Sequence, residues 1–270
     1  MNPVSVVRAR GGAARWKEIR EAGVTARALR TAVEAGVLFR FHPGCYCLPG
    51  TPGAIRAAVL FRGQVACVSA LELGGVALLT PPTKPHIVVP THRSLGRPGV
   101  RPVDRAIVHY ADRGADLIAH PSSALDDAAM CLEPLAHLCA LESALNRGFI
   151  TFEEVEWLWR REPLRGAWLR RHMTASSESV AETLAKYALE SDGFVVRSQV
   201  RLGPDGRRDL VVLDSIVIEV DGYETHGNKR SFVVDRRLDR NLRADGLEPL
   251  RFAAVEVLED PKVVPRAVRA

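Results

Sequence analysis

Asp209, Glu219 and Asp221 are the residues of this 270-residue chain whose types and spacing point most directly to chemistry. Glu219 and Asp221 lie two apart in Ile216-Val-Ile-Glu-Val-Asp-Gly222. In an extended strand both face one side, and Ile216, Ile218 and Val220 face the other. A carboxylate inside a Val/Ile-rich strand is costly unless paired or bound to metal, so two on one face need a partner. Asp209 sits in the preceding stretch, Arg208-Asp-Leu-Val-Val-Leu213. A three-residue hairpin loop sets Asp209 opposite Glu219 on that face, whereas a two-residue loop turns it away. Converging carboxylates suit a hard divalent cation, Mg²⁺ or Mn²⁺. Such an ion positions a water, lowers its pKa and stabilises charge developing on a phosphate. An ion rather than an arginine is therefore the expected partner of Glu219.

The elements that must hold these acids can be read on either side of them. Ser179-Val-Ala-Glu182 opens an apolar-periodic helix through Leu184, Tyr187 and Ala188, and Ser179 with Glu182 makes a capping box. A strand over 194–202 and a turn at 203–206 lead into the Asp209 strand, and a tight turn at Asp214-Ser215 leads into the Glu219 strand. Beyond Gly222 come His226, Lys229, a basic helix from Phe232 to Arg240 and a last strand around Leu250-Arg-Phe252. Arg236, Arg237, Arg240 and Arg243 fall on successive turns of that helix, a solvated face or a track for a DNA backbone.

From Ser179 to about Arg266 this order resembles the PD-(D/E)XK restriction-type nuclease superfamily in its very-short-patch-repair (Vsr)-like branch. The likeness rests on Glu182, Asp209 after a basic pair, Glu219-Val-Asp221-Gly222, His226, the basic helix, and Gly246 before the last strand. It implies hydrolysis of a DNA phosphodiester. Asp209 and Glu219 would bind the metal, with Asp221 a third or water-mediated ligand, and Glu182 would orient the set. The lysine usual two residues after the strand acid is Asp221 here. Its work would fall to His226, Lys229 or a basic residue of the next helix.

A second chemistry lies near the N-terminus. Trp16 to Gly23 reads as a short helix stopped by glycine, and Thr25 caps a second helix that ends at Gly36. Ala28, Leu29, Ala32 and Val33 fall on one side of it, and Arg27, Arg30, Thr31 and Glu34 on the other. A helix, a glycine-containing turn and an amphipathic second helix make a helix-turn-helix, whose exposed arginines and hydroxyl can meet bases and phosphates. The following hairpin, 37–48 around His42-Pro43-Gly44, is a wing offering Arg40 and His42 to the backbone. This segment resembles the winged-helix module of AbiEi-type abortive-infection antitoxins. The likeness extends more faintly over 54–159.

Between these regions the chain expects helices over 54–61, 65–73 and 126–147, and strands over 85–90 and 103–110. Thr151 and Glu154 form a capping box. His86, His92, His109, His120 and His137 are scattered without metal-ligand spacing and read as core or surface residues. The five cysteines, Cys45, Cys47, Cys67, Cys131 and Cys139, include no Cys-x-x-Cys pair, so neither a disulfide framework nor a zinc knuckle is expected. Cys45 and Cys47 read as small buried apolar residues facing one side of a strand.

With 47% hydrophobic and 26% charged residues the chain is a globular protein rather than a disordered one. Its 37 basic against 32 acidic residues leave +5, which permits a polyanionic partner without requiring one. No signal-peptide pattern and no apolar run of membrane-spanning length occurs, so a cytoplasmic protein is expected. The expected class is α/β (α+β overall), in three parts. These are a winged helix-turn-helix over 1–50, a mixed linking domain over 51–173, and a nuclease-like mixed sheet flanked by helices over 174–270. The expected partners are DNA and, beyond it, a cognate toxin or a second copy. The rival to a nuclease is an antitoxin-like repressor whose last domain only binds. A third possibility is a nuclease toxin held in check by the N-terminal part.

Overall fold

A computed structural model describes residues 1–93, 105–160, 162–202, 206–222 and 229–270, with 229–235 described as backbone only. The class is α+β. Unit 1 comprises Met1–Gly75 and Thr80–Cys131, and unit 2 comprises Val76–Leu79 and Leu132–Ala270.

Unit 1 begins with α1 (Pro3–Ala9), β1 (Ala13–Arg15), α2 (Trp16–Glu21) and α3 (Ala26–Glu34), followed by β2 (Phe39–His42) and β3 (Cys45–Cys47). The helix-turn-helix and wing lie where the pattern puts them, while α1 and β1 are additions. β1 pairs with β3, making a three-stranded sheet in the order β1-β3-β2. The helices close on Val7, Ala14, Ile19, Val24, Leu29, Ala32 and Leu38. Gly23 and Gly36, at φ +84° and +70°, end α2 and α3 in the left-handed conformation that glycine adopts without strain. Cys45 and Cys47 are buried, as their alternation implies.

The rest of unit 1 is α4 (Gly53–Phe61), β4 (Gln64–Val65), α5 (Cys67–Leu73), β5 (His86–Val89), β6 (Ile107–Tyr110) and α6 (Pro121–Ala128). β4 pairs antiparallel with β5, and β5 parallel with β6. The expected helix over 126–147 is two helices: α6 stops at Ala128 and α7 (Pro134–Asn146) starts afresh. Pro134 is the reason, since proline fits the first turn of a helix and not its interior. Likewise 65–73 starts as strand, and its helix begins only at Cys67.

In unit 2, α7 is followed by α8 (Phe152–Glu156), opened by the Thr151–Glu154 capping box, and by α9 (Pro163–His172) and α10 (Val180–Ser191). Then come β7 (Val196–Arg201), β8 (Arg207–Val212), β9 (Ile216–Asp221), α11 (Lys229–Ala244), β10 (Glu248–Ala253), α12 (Ala254–Glu259) and α13 (Val263–Arg269). The mixed sheet runs β10-β9-β8-β7, with only β9 and β10 parallel. Leu184, Ala185 and Leu189 of α10 pack with Leu210, Val212, Ile218 and Phe252, joined by Leu79 from the short segment Val76–Leu79. Ser143 of α7 also accepts the N–H of Ala77 at 2.9 Å. Val211, Val217 and Leu242 make a second, smaller cluster with Val200 and Leu202.

The expected linking domain over 51–173 is thus divided at Cys131. Its strands and α4–α6 belong with the winged helix, and its remaining helices belong with the C-terminal sheet. Among the described residues no helix is long and apolar enough to cross a membrane.

Candidate functional site

The N-terminal face is built by α3 and the wing. Thr25 starts α3 by accepting the N–H of Ala28 at 3.2 Å, the capping that its sequence position implies. Leu29 and Ala32 are buried against α1 and α2, which leaves Arg27, Arg30 and Thr31 exposed on the opposite side. Arg40 is exposed on β2, and His42 is half-buried beside the Pro43 carbonyl. Between helix and wing runs a groove of about 470 Å³ lined by Trp16, Arg30, Val33, Glu34, Arg40 and Tyr46. Its two guanidinium groups can neutralise phosphates and reach guanine edges, while Arg27 and Thr31 line a second hollow on α3 with Val4, Ala28 and Val37.

The carboxylates are gathered by β8, β9 and α10. The ladder pairs Val212 with Ile216, Val211 with Val217 and Leu210 with Ile218, so the loop has three residues, Leu213 to Ser215. That loop is the one that brings Asp209 level with Glu219. Yet the described pairing ends at Leu210, and the face alternation changes just beyond it. Val196 packs on the α10 side of the sheet, whereas Val200 and Leu202 pack on the other. Four and six residues on, regular alternation would keep them on one side. Gln199 lies at the change, with φ +53°, a conformation that strains a residue bearing a Cβ.

The consequence is a different partner for Glu219. Arg208 Nη1 donates to Glu219 Oε1 at 3.2 Å, with Arg208 buried and Glu219 partly so. The expectation that Glu219 has no arginine partner is corrected here: Arg208 fills that place. Asp221 is met by Arg251 Nη1 at 3.2 Å, and Arg251 also reaches Asp239 at 3.1 Å. The carboxylate of Asp209 accepts the backbone N–H of Val220 at 2.9 Å.

Glu182 caps only in part. Its N–H donates to Ser179 Oγ at 3.1 Å, but its carboxylate turns to the N–H of Glu178 at 2.9 Å and to Gln199 Nε2 at 3.1 Å. Burial first, and the charge of Asp209 second, push Glu182 up to about 7, and the same two causes push Glu219 up to about 7. Burial raises Asp209 as well, with the Val220 N–H opposing it and Asp221 adding to it. The four acids are one electrostatic set with Asp209 at its centre. Their charge fits a hard divalent cation, but their ligand atoms are not drawn to one point. Among the described residues, the group of such atoms lying within 4.8 Å of one another is Cys67, His86, His109 and Cys131.

Of the other expected residues, Arg236, Arg237 and Arg240 are exposed on α11. His226 lies outside the described residues, and so does the side chain of Lys229. The cysteine–histidine group was missed because its members stand 19, 23 and 22 positions apart, with no local motif. A sequence signal does exist, though only once β5 and β6 are known to pair in parallel, which makes their histidines neighbours.

No curated protein matches the chain. Residues 4–49, from within α1 to just past β3, match the family described as a transcriptional regulator, the AbiEi antitoxin.

Proposed function

We propose that the protein is a DNA-binding transcriptional regulator that reads duplex DNA through α3 and its wing. The observation that carries this reading is the Thr25-capped helix whose buried side packs on α1 and α2 while Arg27, Arg30 and Thr31 stay exposed. It coincides with the segment that matches a family of regulators. The antitoxin description brings a cognate toxin into the proposal as a second partner. The test selects bound sequences from a random duplex pool with the full chain, then measures their affinity by fluorescence anisotropy at several salt concentrations. Arg27→Ala combined with Arg30→Ala should weaken binding about tenfold or more, at one to three kcal/mol for each arginine that reads a base, roughly. Undiminished binding would move the DNA contact elsewhere.

A second reading concerns unit 2, and the observation favouring it is the set Glu182, Asp209, Glu219 and Asp221 with two of its carboxyls raised to about 7. Buried acids with perturbed pKa values, gathered on a strand pair, are hallmarks of a site that handles a cation or a proton. In this reading the domain is a Mg²⁺- or Mn²⁺-dependent DNA endonuclease. Asp209 and Glu219 would hold the ion, Asp221 would assist directly or through water, and Glu182 would orient Gln199 and the set. His226 would serve as acid or base, and Lys229, Arg236, Arg237 and Arg240 would track the DNA backbone. When bound, the ion supplies a polarised water and neutralises charge on the phosphate. Arg208, paired with Glu219, would compete with such an ion for that carboxylate. Incubating the protein with duplex, single-stranded and mismatched DNA plus Mg²⁺ or Mn²⁺ tests the reading. No cleavage of any of them would remove it and leave the regulator alone.

A further inference from the structure

We propose that Cys67, His86, His109 and Cys131 bind one Zn²⁺ ion in a closed, structural site within unit 1. The side chains come from four separate elements. Cys67 is the first residue of α5, His86 the first of β5, His109 lies in β6, and Cys131 follows α6. Each offers one ligand atom, and all four atoms lie within 4.8 Å of one another.

Two edges of this group are close to those of a metal-centred tetrahedron. Zinc–nitrogen bonds of about 2.0–2.1 Å imply nitrogen–nitrogen edges of roughly 3.3–3.4 Å, and zinc–sulfur bonds of about 2.3 Å lengthen the mixed edges to roughly 3.6 Å. His109 Nε2 lies 3.4 Å from His86 Nδ1, and Cys131 Sγ lies 3.8 Å from His109 Nε2. The two imidazole rings are stacked, with centroids 5.7 Å apart and planes at 28°.

The backbone holds the ligands firmly. Ala66 N–H donates to the His86 carbonyl at 3.0 Å, and His86 N–H donates to Ser69 Oγ at 2.9 Å, which ties the Cys67 and His86 positions together. Ile107 N–H donates to the Pro85 carbonyl at 2.8 Å, which fixes β6 against β5. Cys67 and His86 are buried, His109 is partly so, and Cys131 is exposed at the rim. Cys67 also takes φ +49°, a strained conformation that persists where its surroundings hold it.

Two thiolates and two imidazoles in a tetrahedron select zinc among the common divalent ions. Four protein ligands leave no open position for water or substrate, so the ion holds structure and does no catalysis. Binding displaces the protons of both thiols, and the ion then links α5, β5, β6 and the end of α6 in place of a disulfide or a larger core.

The untagged full chain, purified without added metal and desalted, should contain about one zinc per chain by elemental analysis. Zinc should fall about tenfold or more in Cys131→Ser and in His109→Ala, because three ligands hold the ion far more weakly than four. Cys131 lies at the rim, so its serine variant keeps the packing intact. Cobalt reconstitution of the wild type supplies a reading independent of any variant. A tetrahedral spectrum with thiolate-to-cobalt charge transfer is expected, losing roughly half of that band in Cys131→Ser, where one of two thiolates is gone. Three results would overturn the proposal. They are wild-type protein that retains no zinc even after incubation with it, zinc content equal in wild type and variants, and a Cys67–Cys131 disulfide in protein isolated without oxygen.

Discussion

The carboxylates of unit 2 and the cysteine–histidine group of unit 1 invert each other. Glu219 and Asp221 stand two residues apart, Asp209 is one hairpin away, and the chemistry is plain in the order of residues. In the fold, however, they are answered by Arg208, Arg251 and a backbone N–H, and their oxygens do not meet at a point. The four ligands of unit 1 are spread over 65 positions, from Cys67 to Cys131, with no local spacing, yet their ligand atoms share a space only 4.8 Å across. Proximity along the chain makes a motif local. Convergence in space depends on which strands pair, and a parallel pair such as β5 and β6 joins segments that are distant in sequence.

Four experiments bear on this contrast. The largest effect is expected from Glu219→Gln, which removes the charge and keeps the shape. If unit 2 is a metal-dependent nuclease, cleavage dependent on Mg²⁺ or Mn²⁺ should drop to the metal-free background while DNA affinity holds, because the proposed binding runs through α3 and the wing. A Mn²⁺-induced rise in melting temperature that disappears in the variant would tie the ion to that residue. Cleavage that survives the substitution would empty the carboxylate set of its proposed role.

Next is metal removal from unit 1. A strong zinc chelator should lower the melting temperature of unit 1 by about 10 °C, which corresponds to roughly 3 kcal/mol for a unit of this size. The transition of unit 2 should shift far less, and a chelator that left both transitions unmoved would mean that the cluster is held by packing alone. Smaller again is the salt dependence of DNA binding. If Arg27 and Arg30 each neutralise one phosphate, losing both should flatten the slope of log affinity against log salt by about 2. An unchanged slope would place the two arginines away from the phosphates.

The smallest effect is on pH. Glu182 and Glu219, raised from 4.5 to about 7, keep their protons in the fold where the unfolded chain has released them. Their stabilising contribution is complete below pH 4.5 and is lost as pH rises through about 7. Urea midpoints measured across that window should therefore fall with rising pH. Glu182→Gln combined with Glu219→Gln should flatten that fall, and an equal fall in both proteins would mean that the two carboxyls ionise alike folded and unfolded.

Local chemistry was legible from the residues. Thr25, Gly23 and Gly36 mark the ends of α2 and α3, and the loop after Val212 has the three residues that the Asp209 register needs. What was hidden depends on non-local geometry. Nothing around Gln199 announces its left-handed backbone, because glutamine is not a residue that favours one. Yet at that residue the alternation along β7 inverts, and Arg208, paired opposite Val200, is the residue that meets Glu219. The division at Cys131 was hidden for the same reason. It follows from which helices pack on which sheet, not from any linker-like stretch.

The stretch Val76–Leu79 belongs to unit 2 while the chain on both sides of it belongs to unit 1. The path therefore crosses between units three times, and neither unit is one uninterrupted stretch of gene. A fragment starting at Leu132 would lack Leu79 and leave a gap in the apolar cluster around Leu184 and Leu210. Recombination that moves a module through a single breakpoint would carry off one unit incomplete. The winged-helix part and the acid-bearing part are thus interleaved along the chain, and a working transplant of the C-terminal sheet must carry residues 76–79 along with it.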